Sequence, residues 1–118
     1  MSEGVLIKLD ERRREAAAAP TQVNFDRREL DAILRIYGFK VGDNEWRDYA
    51  IDFGRDRAVF SVYARASEAP LYRIVKEPKL ARRQGAYSVV SQQGQVLKRG
   101  HDLAQVLRVF SKRLKLVE

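Results

Sequence analysis

The spacing of apolar residues changes twice along the chain, and this pattern constrains the fold more than any other feature. From Leu30 to Tyr37 apolar residues recur at intervals of three and four, which is typical of one helix face. From Tyr49 to Val62 they alternate along the chain, as in strands, and from Leu103 the helical spacing returns. Strands in succession between two helices predict an antiparallel sheet in an α+β domain.

The first helix carries signals for its start and its end. Asp26 can accept hydrogen bonds from free N–H groups of the first turn, and Glu29 completes a capping box. Phe25 and Leu30 occupy the positions of a hydrophobic staple, and Gly38 can take the left-handed conformation that closes a helix. We therefore predict a helix that begins after Asp26 and ends at Gly38.

The strands are separated by short segments rich in Gly, Pro and polar residues, which is typical of an antiparallel meander. We predict about five strands, at residues 48–53, 58–63, 71–76, 87–91 and 95–98.

A second helix is predicted to start at Asp102, with Gln105 three residues later. It is amphipathic, and we expect it to pack on one face of the sheet through Leu103, Val106, Leu107, Phe110 and Leu114. Residues 1–21 show no apolar face at helical spacing, so we expect a flexible tail there and a single α+β domain at residues 22–118.

The positive charge is concentrated in the second half of the chain. Residues 1–61 hold 11 Lys/Arg and 12 Asp/Glu, whereas residues 62–118 hold 12 Lys/Arg and 4 Asp/Glu. The second half therefore carries a net charge of +8, against +7 for the whole chain. Such asymmetry indicates an acidic partner, most often a nucleic acid, although it can also serve solubility alone.

Several function classes are disfavoured by residue types that are rare or missing. The chain has no Cys and one His, which argues against thiol catalysis, thiolate metal sites and most His-dependent enzymes. We expect no enzymatic activity, no cofactor and no metal. No apolar run approaches the length of about 18 residues that a membrane helix needs, so we expect a cytoplasmic protein that does not bind a membrane.

The segment from Lys76 to Gly85 is the densest cluster of positive charge, with four cations and one acid in ten residues. Pro78 and Gly85 indicate a loop between two strands, and Arg side chains can hold a phosphate with two N–H groups at once. The alternative is a solvated loop whose Arg82 or Arg83 pairs with Asp48, Asp52 or Asp56 of the first hairpin. With nearby strand and helix cations, the predicted phosphate-binding set is Lys76, Lys79, Arg82, Arg83, Lys98, Arg99, Arg108 and Lys112.

Three tyrosines, Tyr63, Tyr72 and Tyr87, fall on the predicted strands. Aromatic side chains on a sheet can stack on unpaired bases, but tyrosines in strands also serve as half-buried core residues. Base stacking by these residues is a further prediction.

Four segments resemble a known family: Phe25–Leu30, Glu45–Phe53, Leu80–Val90 and Leu97–Leu103. The family comprises small uncharacterised alphaproteobacterial proteins with a domain of unknown function, and the resemblance covers about residues 23–110. It implies a bacterial and cytoplasmic origin. It assigns no activity and no binding residue.

Two functions remain open at this stage. The first is a non-enzymatic binding module that contacts DNA or RNA, or a nucleic-acid-bound complex such as a polymerase or ribosome, through its basic second half. The second is a protein-interaction adaptor or a homodimer that acts through the sheet edge or the N-terminal tail.

Overall fold

A computed structural model describes residues 22–65 and 69–117, with side chains as far as Ser111. The predicted tail at residues 1–21 lies outside the described residues. The elements, in chain order, are helix α1 (Arg27–Gly42), strands β1 (Asp48–Phe53), β2 (Ala58–Tyr63) and β3 (Tyr72–Lys76), a 3₁₀ turn (Pro78–Leu80), strands β4 (Tyr87–Ser91) and β5 (Val96–Gly100), and helix α2 (Leu103–Val117).

Helix α1 begins as predicted but is longer than expected. The Glu29 N–H donates to Asp26 Oδ1 at 2.8 Å, and the Asp26 N–H donates to Glu29 Oε1 at 2.8 Å, which completes the capping box. The predicted end at Gly38 is wrong, because the helix continues to Gly42. The extra turn carries Lys40, which is buried against Trp46 and is thereby packed into the fold.

The five strands form one antiparallel sheet in the order β1-β2-β3-β4-β5, which confirms the predicted meander. The last strand begins and ends later than predicted, because its residues from Val96 to Gly100 are the ones that pair with β4, with a register shift between Val89 and Val90.

Both helices pack on one face of the sheet, as the α+β prediction requires. Phe60, Ile74 and Val89 from the sheet are buried with Ile33 of α1 and Phe110 of α2 in one cluster. Within the described part of the chain no helix packs on the opposite face, which we call the open face. By strand alternation the open face carries Asp52, Val59, Ser61, Arg73, Val75, Ser88 and Arg99.

Candidate nucleic-acid interface

Three connections meet at one end of the sheet. The pairing register places Ala58 opposite Lys76, Lys76 opposite Tyr87, and Tyr87 opposite Gly100. The β1–β2 turn, the β3–β4 loop and the β5–α2 turn therefore lie at this same end. We call it the basic end, after its exposed or half-exposed cations Arg55, Arg57, Lys76, Lys79, Arg82, Arg83 and Arg99, and the same connections also carry the acids Asp56, Glu77 and Asp102.

The β3–β4 loop is a hydrogen-bonded turn rather than an open loop. After the 3₁₀ turn at Pro78–Leu80, the Leu80 carbonyl accepts from the N–H groups of Arg83, Gln84 and Gly85 at 3.0, 3.1 and 2.9 Å. Because three donors converge on one carbonyl, the backbone that carries Arg82 and Arg83 has a fixed shape. Both arginine side chains are exposed, and no ion pair involves either of them within the described residues.

Gly85 fixes this loop against the end of β5. Its φ of +102° lies in the region that favours glycine. A Cβ atom on Gly85 would lie 2.2 Å from the carbonyl carbon of Gly100, so no side chain fits there. This close approach brings the loop next to Arg99, which immediately precedes Gly100 in β5.

An ion pair links the same loop to the β1–β2 turn. Lys79 Nζ lies 2.8 Å from Asp56 Oδ1, and both side chains are exposed. The hydrogen bond and the positive charge of Lys79 lower the pKa of Asp56. The alternative prediction, that Arg82 or Arg83 pairs with Asp48, Asp52 or Asp56, is wrong for the described residues, because the hairpin acid Asp56 pairs with Lys79 instead.

A cleft of about 750 Å³ lies between this loop, the β1–β2 turn and residues 22–24. Arg55, Lys76 and Lys79 supply three cations to its lining, and Asp56 supplies one acid. Lys76 and Lys79 are paired with carboxylates, so among the described residues Arg55 is the lining cation without an ion pair, and an anionic group in the cleft would compete with Asp56 for Lys79.

Two residues of the predicted site have partners inside the fold. Lys76 Nζ lies 2.8 Å from Glu29 Oε1 and donates to the Asn24 carbonyl at 2.8 Å. The Tyr87 hydroxyl donates to Glu29 Oε2. Burial and the Glu29 carboxylate raise the pKa of Tyr87. These contacts give Lys76 and Tyr87 a structural role that the predictions of phosphate binding and base stacking did not include.

The structure does not bring the three tyrosines together. Tyr87 lies at the basic end, whereas Tyr63 ends β2 and Tyr72 begins β3 at the opposite end. The Tyr72 ring packs against Trp46 and Phe110 at centroid distances of 6.3 and 5.2 Å, on the helix-covered face. Tyr63 is on the open face, so the three rings do not form one stacking platform.

Helix α2 runs from the basic end toward the opposite end of the sheet, so its described cation Arg108 lies away from the basic end. It starts beside Gly100, and its Phe110 already lies next to Tyr72 at the opposite end. Arg108, two residues before Phe110, is exposed, and its Nη1 donates to Gln105 Oε1 at 3.4 Å. The side chain of the predicted site residue Lys112 lies outside the described residues.

On β5, Lys98 is exposed and is paired across the strands with Val89. Arg99 is half-buried, and its Nη1 atom is buried with no hydrogen-bond partner. Of the two, Arg99 lies closer to the basic end.

The predicted phosphate-binding set does not include three arginines that line the cleft or a hollow on the open face, Arg55, Arg57 and Arg73. Arg55 and Arg57 belong to a short turn that contained no dense basic run, and Arg73 belongs to a strand. Arg57 and Arg73 line a hollow of about 290 Å³ on the open face together with Ser61 and Asp52. The alternation of β2 and β3 could have placed Ser61 and Arg73 on one face, but no pattern showed that Arg57 joins them.

Within the described residues, His, Asp and Glu side chains form no group that could hold a metal ion. The same residues include no helix that is long and apolar enough to cross a membrane.

In the part of the chain that the structure describes, the fold and the site define a class: an α+β domain with a five-stranded meander, two helices on one face, and a basic end. The chain belongs to DUF2794, a family of proteins of unknown function, which matches residues 23–107. This confirms the predicted resemblance to a domain of unknown function. No curated protein and no solved structure matches the chain.

Proposed function

We propose that this protein is a non-enzymatic module of the bacterial cytoplasm that binds DNA or RNA, alone or within a larger complex, through the basic end. Phosphate contacts supply most of the affinity in such interactions, and arginine is well suited to them because its guanidinium group can donate two parallel hydrogen bonds.

One observation carries the proposal: Arg82 and Arg83 are exposed on a turn of fixed shape and have no ion pair within the described residues. A fixed backbone lowers the entropy that is lost when the side chains bind. Exposed guanidinium groups without a carboxylate partner can contact phosphate without first breaking an ion pair.

The surrounding charges support the same assignment. Arg55 and Lys79 line the adjacent cleft, and Arg99 lies at the neighbouring strand end. If about five phosphates are neutralised, the logarithm of the affinity for duplex DNA should fall with the logarithm of salt concentration at a slope near −4.5.

The test uses the full chain and two fluorescent probes, a 20-nucleotide RNA and a DNA duplex of 20 base pairs. Fluorescence anisotropy measures their affinity at several salt concentrations. The double variant Arg82→Ala/Arg83→Ala should bind the duplex more weakly, with a slope shallower by about 1.8, because each lost phosphate contact contributes about 0.9.

The matched control is Arg47→Ala/Arg65→Ala. It removes the same charge from two exposed residues at the opposite end of the sheet, where the Arg47 N–H bonds to Tyr63. Its slope should equal that of the unmodified protein. If both double variants lose the same affinity, binding depends on net charge and not on a site. If the unmodified protein binds neither the RNA nor the DNA duplex at low salt, the proposed function is refuted.

A further inference from the structure

The outer edge of β1 differs from the rest of the sheet. β1 is the first strand in the sheet order, and within the described residues no strand pairs with its outer side beyond the isolated bridge between Val23 and Gly54. An uncovered edge presents N–H and C=O groups that can pair with another extended chain.

Strand alternation identifies which groups point outward. Gly54 donates its N–H to Arg57, on the β2 side, so Asp52 and Ala50 also direct their N–H groups toward β2. The N–H groups of Tyr49, Ile51 and Phe53 therefore point away from the sheet. The hydrogen bond of Tyr49 is consistent with this direction, because its N–H donates to Asp48 Oδ1 at 2.8 Å and not to β2.

The helix-covered side of this edge is apolar and exposed. Tyr49 and Phe53 are 41% and 47% exposed, although both belong to the face that forms the core. Leu34 and Val41 of α1 are 36% and 39% exposed, and they lie one turn before and after Tyr37, whose ring packs 4.9 Å from Tyr49. Apolar surface of β1 and of α1 is thus exposed on this side of the edge.

The other side of the edge carries two aspartates, of which Asp52 also lines the hollow with Arg57 and Arg73. Asp48 and Asp52 alternate with the apolar residues and lie on the open face, where both are exposed. A second copy of β1 pairing here would gather four aspartates on one patch, and facing like charges destabilise a sheet. A strand with basic residues on that side would neutralise them.

We propose that the β1 edge binds an extended peptide segment of a partner protein in which apolar residues alternate with Lys or Arg. The segment adds a sixth strand to the sheet through the free backbone groups of Ile51 and Phe53. Its apolar side chains pack on the flank that includes Tyr49 and Leu34, and its cations face Asp48 and Asp52.

The test uses two synthetic seven-residue peptides with blocked ends. One alternates valine with lysine, and the other alternates valine with glutamate. Titration calorimetry measures affinity, and ¹⁵N-resolved NMR follows each backbone amide. We expect the lysine peptide to bind at least about tenfold more tightly and to shift the amides of Ile51 and Phe53.

The sharpest variant is Ile51→Pro, which removes an outward N–H and leaves the hydrogen bonds to β2 in place. It should weaken binding of the lysine peptide by about tenfold or more, which corresponds to the loss of about one backbone contact and its geometry. Ile51→Val keeps the N–H group and should bind as the unmodified protein does. If Ile51→Pro fails to fold, Phe53→Lys provides a second test, because it places a charge on the apolar flank where the valine side chains of the peptide would pack.

Three outcomes overturn the proposal. Binding of neither peptide shows that the edge is closed to strands. Equal binding of both peptides refutes the basic specificity. Concentration-dependent dimerisation that Phe53→Lys abolishes assigns the edge to a second copy of the chain.

Discussion

Lys76 and Lys79 lie three residues apart in the same basic segment, and each has a carboxylate oxygen 2.8 Å from its Nζ atom. Their surroundings differ. The Lys76 side chain is 18% exposed and reaches Glu29 at the start of α1, whereas that of Lys79 is 77% exposed and reaches Asp56 in a turn. Two cations that look equivalent in the sequence therefore have different roles. Lys76, the inner one, joins helix α1 to the sheet, and Lys79, the outer one, remains accessible to a ligand.

The largest effect on stability should come from the inner contact. Glu29→Ala removes the bond from the Asp26 N–H to the Glu29 side chain, worth about 1 kcal/mol, and leaves Lys76 without its carboxylate partner at a cost of about 3 kcal/mol. Urea unfolding should show a loss near 4 kcal/mol. Lys79→Ala is the control and should leave the unfolding midpoint unchanged. A loss below about 1 kcal/mol in Glu29→Ala would mean that the inner ion pair behaves like a surface one.

The next effect concerns the contact that holds the outer turn in place. Gly85→Ala introduces a Cβ that would overlap the Gly100 backbone, whereas Gly94, also at positive φ, has nothing within 4 Å of such an atom. Gly94→Ala should cost about 1–2 kcal/mol from backbone strain alone. Gly85→Ala should cost more in urea unfolding and should also weaken nucleic-acid binding, because it displaces the turn. Equal costs would show that the turn does not depend on the close approach.

These contrasts separate the features that the sequence predicts from those that it does not predict. The capping box of Asp26 and Glu29 and the strand alternation are local patterns, so they predicted the elements well. The partner of Lys76 is 47 residues away in the chain. Gly85 and Gly100 are in contact, although β4 and the rest of β5 separate them along the chain. Such contacts depend on how the helix crosses the sheet, which no local spacing encodes. For the same reason the basic loop was predicted as one unit, although its first lysine is structural.

A third, pH-dependent effect separates the two regions further. Burial and the Glu29 carboxylate raise the pKa of Tyr87 in the folded protein, while in the unfolded chain tyrosine ionises near pH 10. The unfolded state therefore loses this proton first, and the stabilisation is complete below about pH 10 and declines as the pH rises above it.

In Tyr87→Phe this alkaline decline should be smaller. The measurement is the melting temperature between about pH 9 and 11, on either side of the ionisation of tyrosine. Tyr63→Phe, which changes a ring on the open face away from Glu29, is the control and should keep the decline of the unmodified protein. Identical profiles for the two variants would exclude a role for the Tyr87 hydroxyl.

The smallest effect on stability and the most direct test of accessibility come from Asp56. Because this carboxylate is exposed and pairs only with Lys79 among the described residues, Asp56→Asn should leave the urea midpoint unchanged at pH 7. It should nevertheless strengthen binding of the 20-nucleotide RNA, since it frees Lys79 and removes a negative charge from the cleft. Asp31→Asn makes the same charge change on an exposed position of α1 and should have less effect. If both variants bind alike, Lys79 does not contact the ligand, and the interface is confined to the arginines.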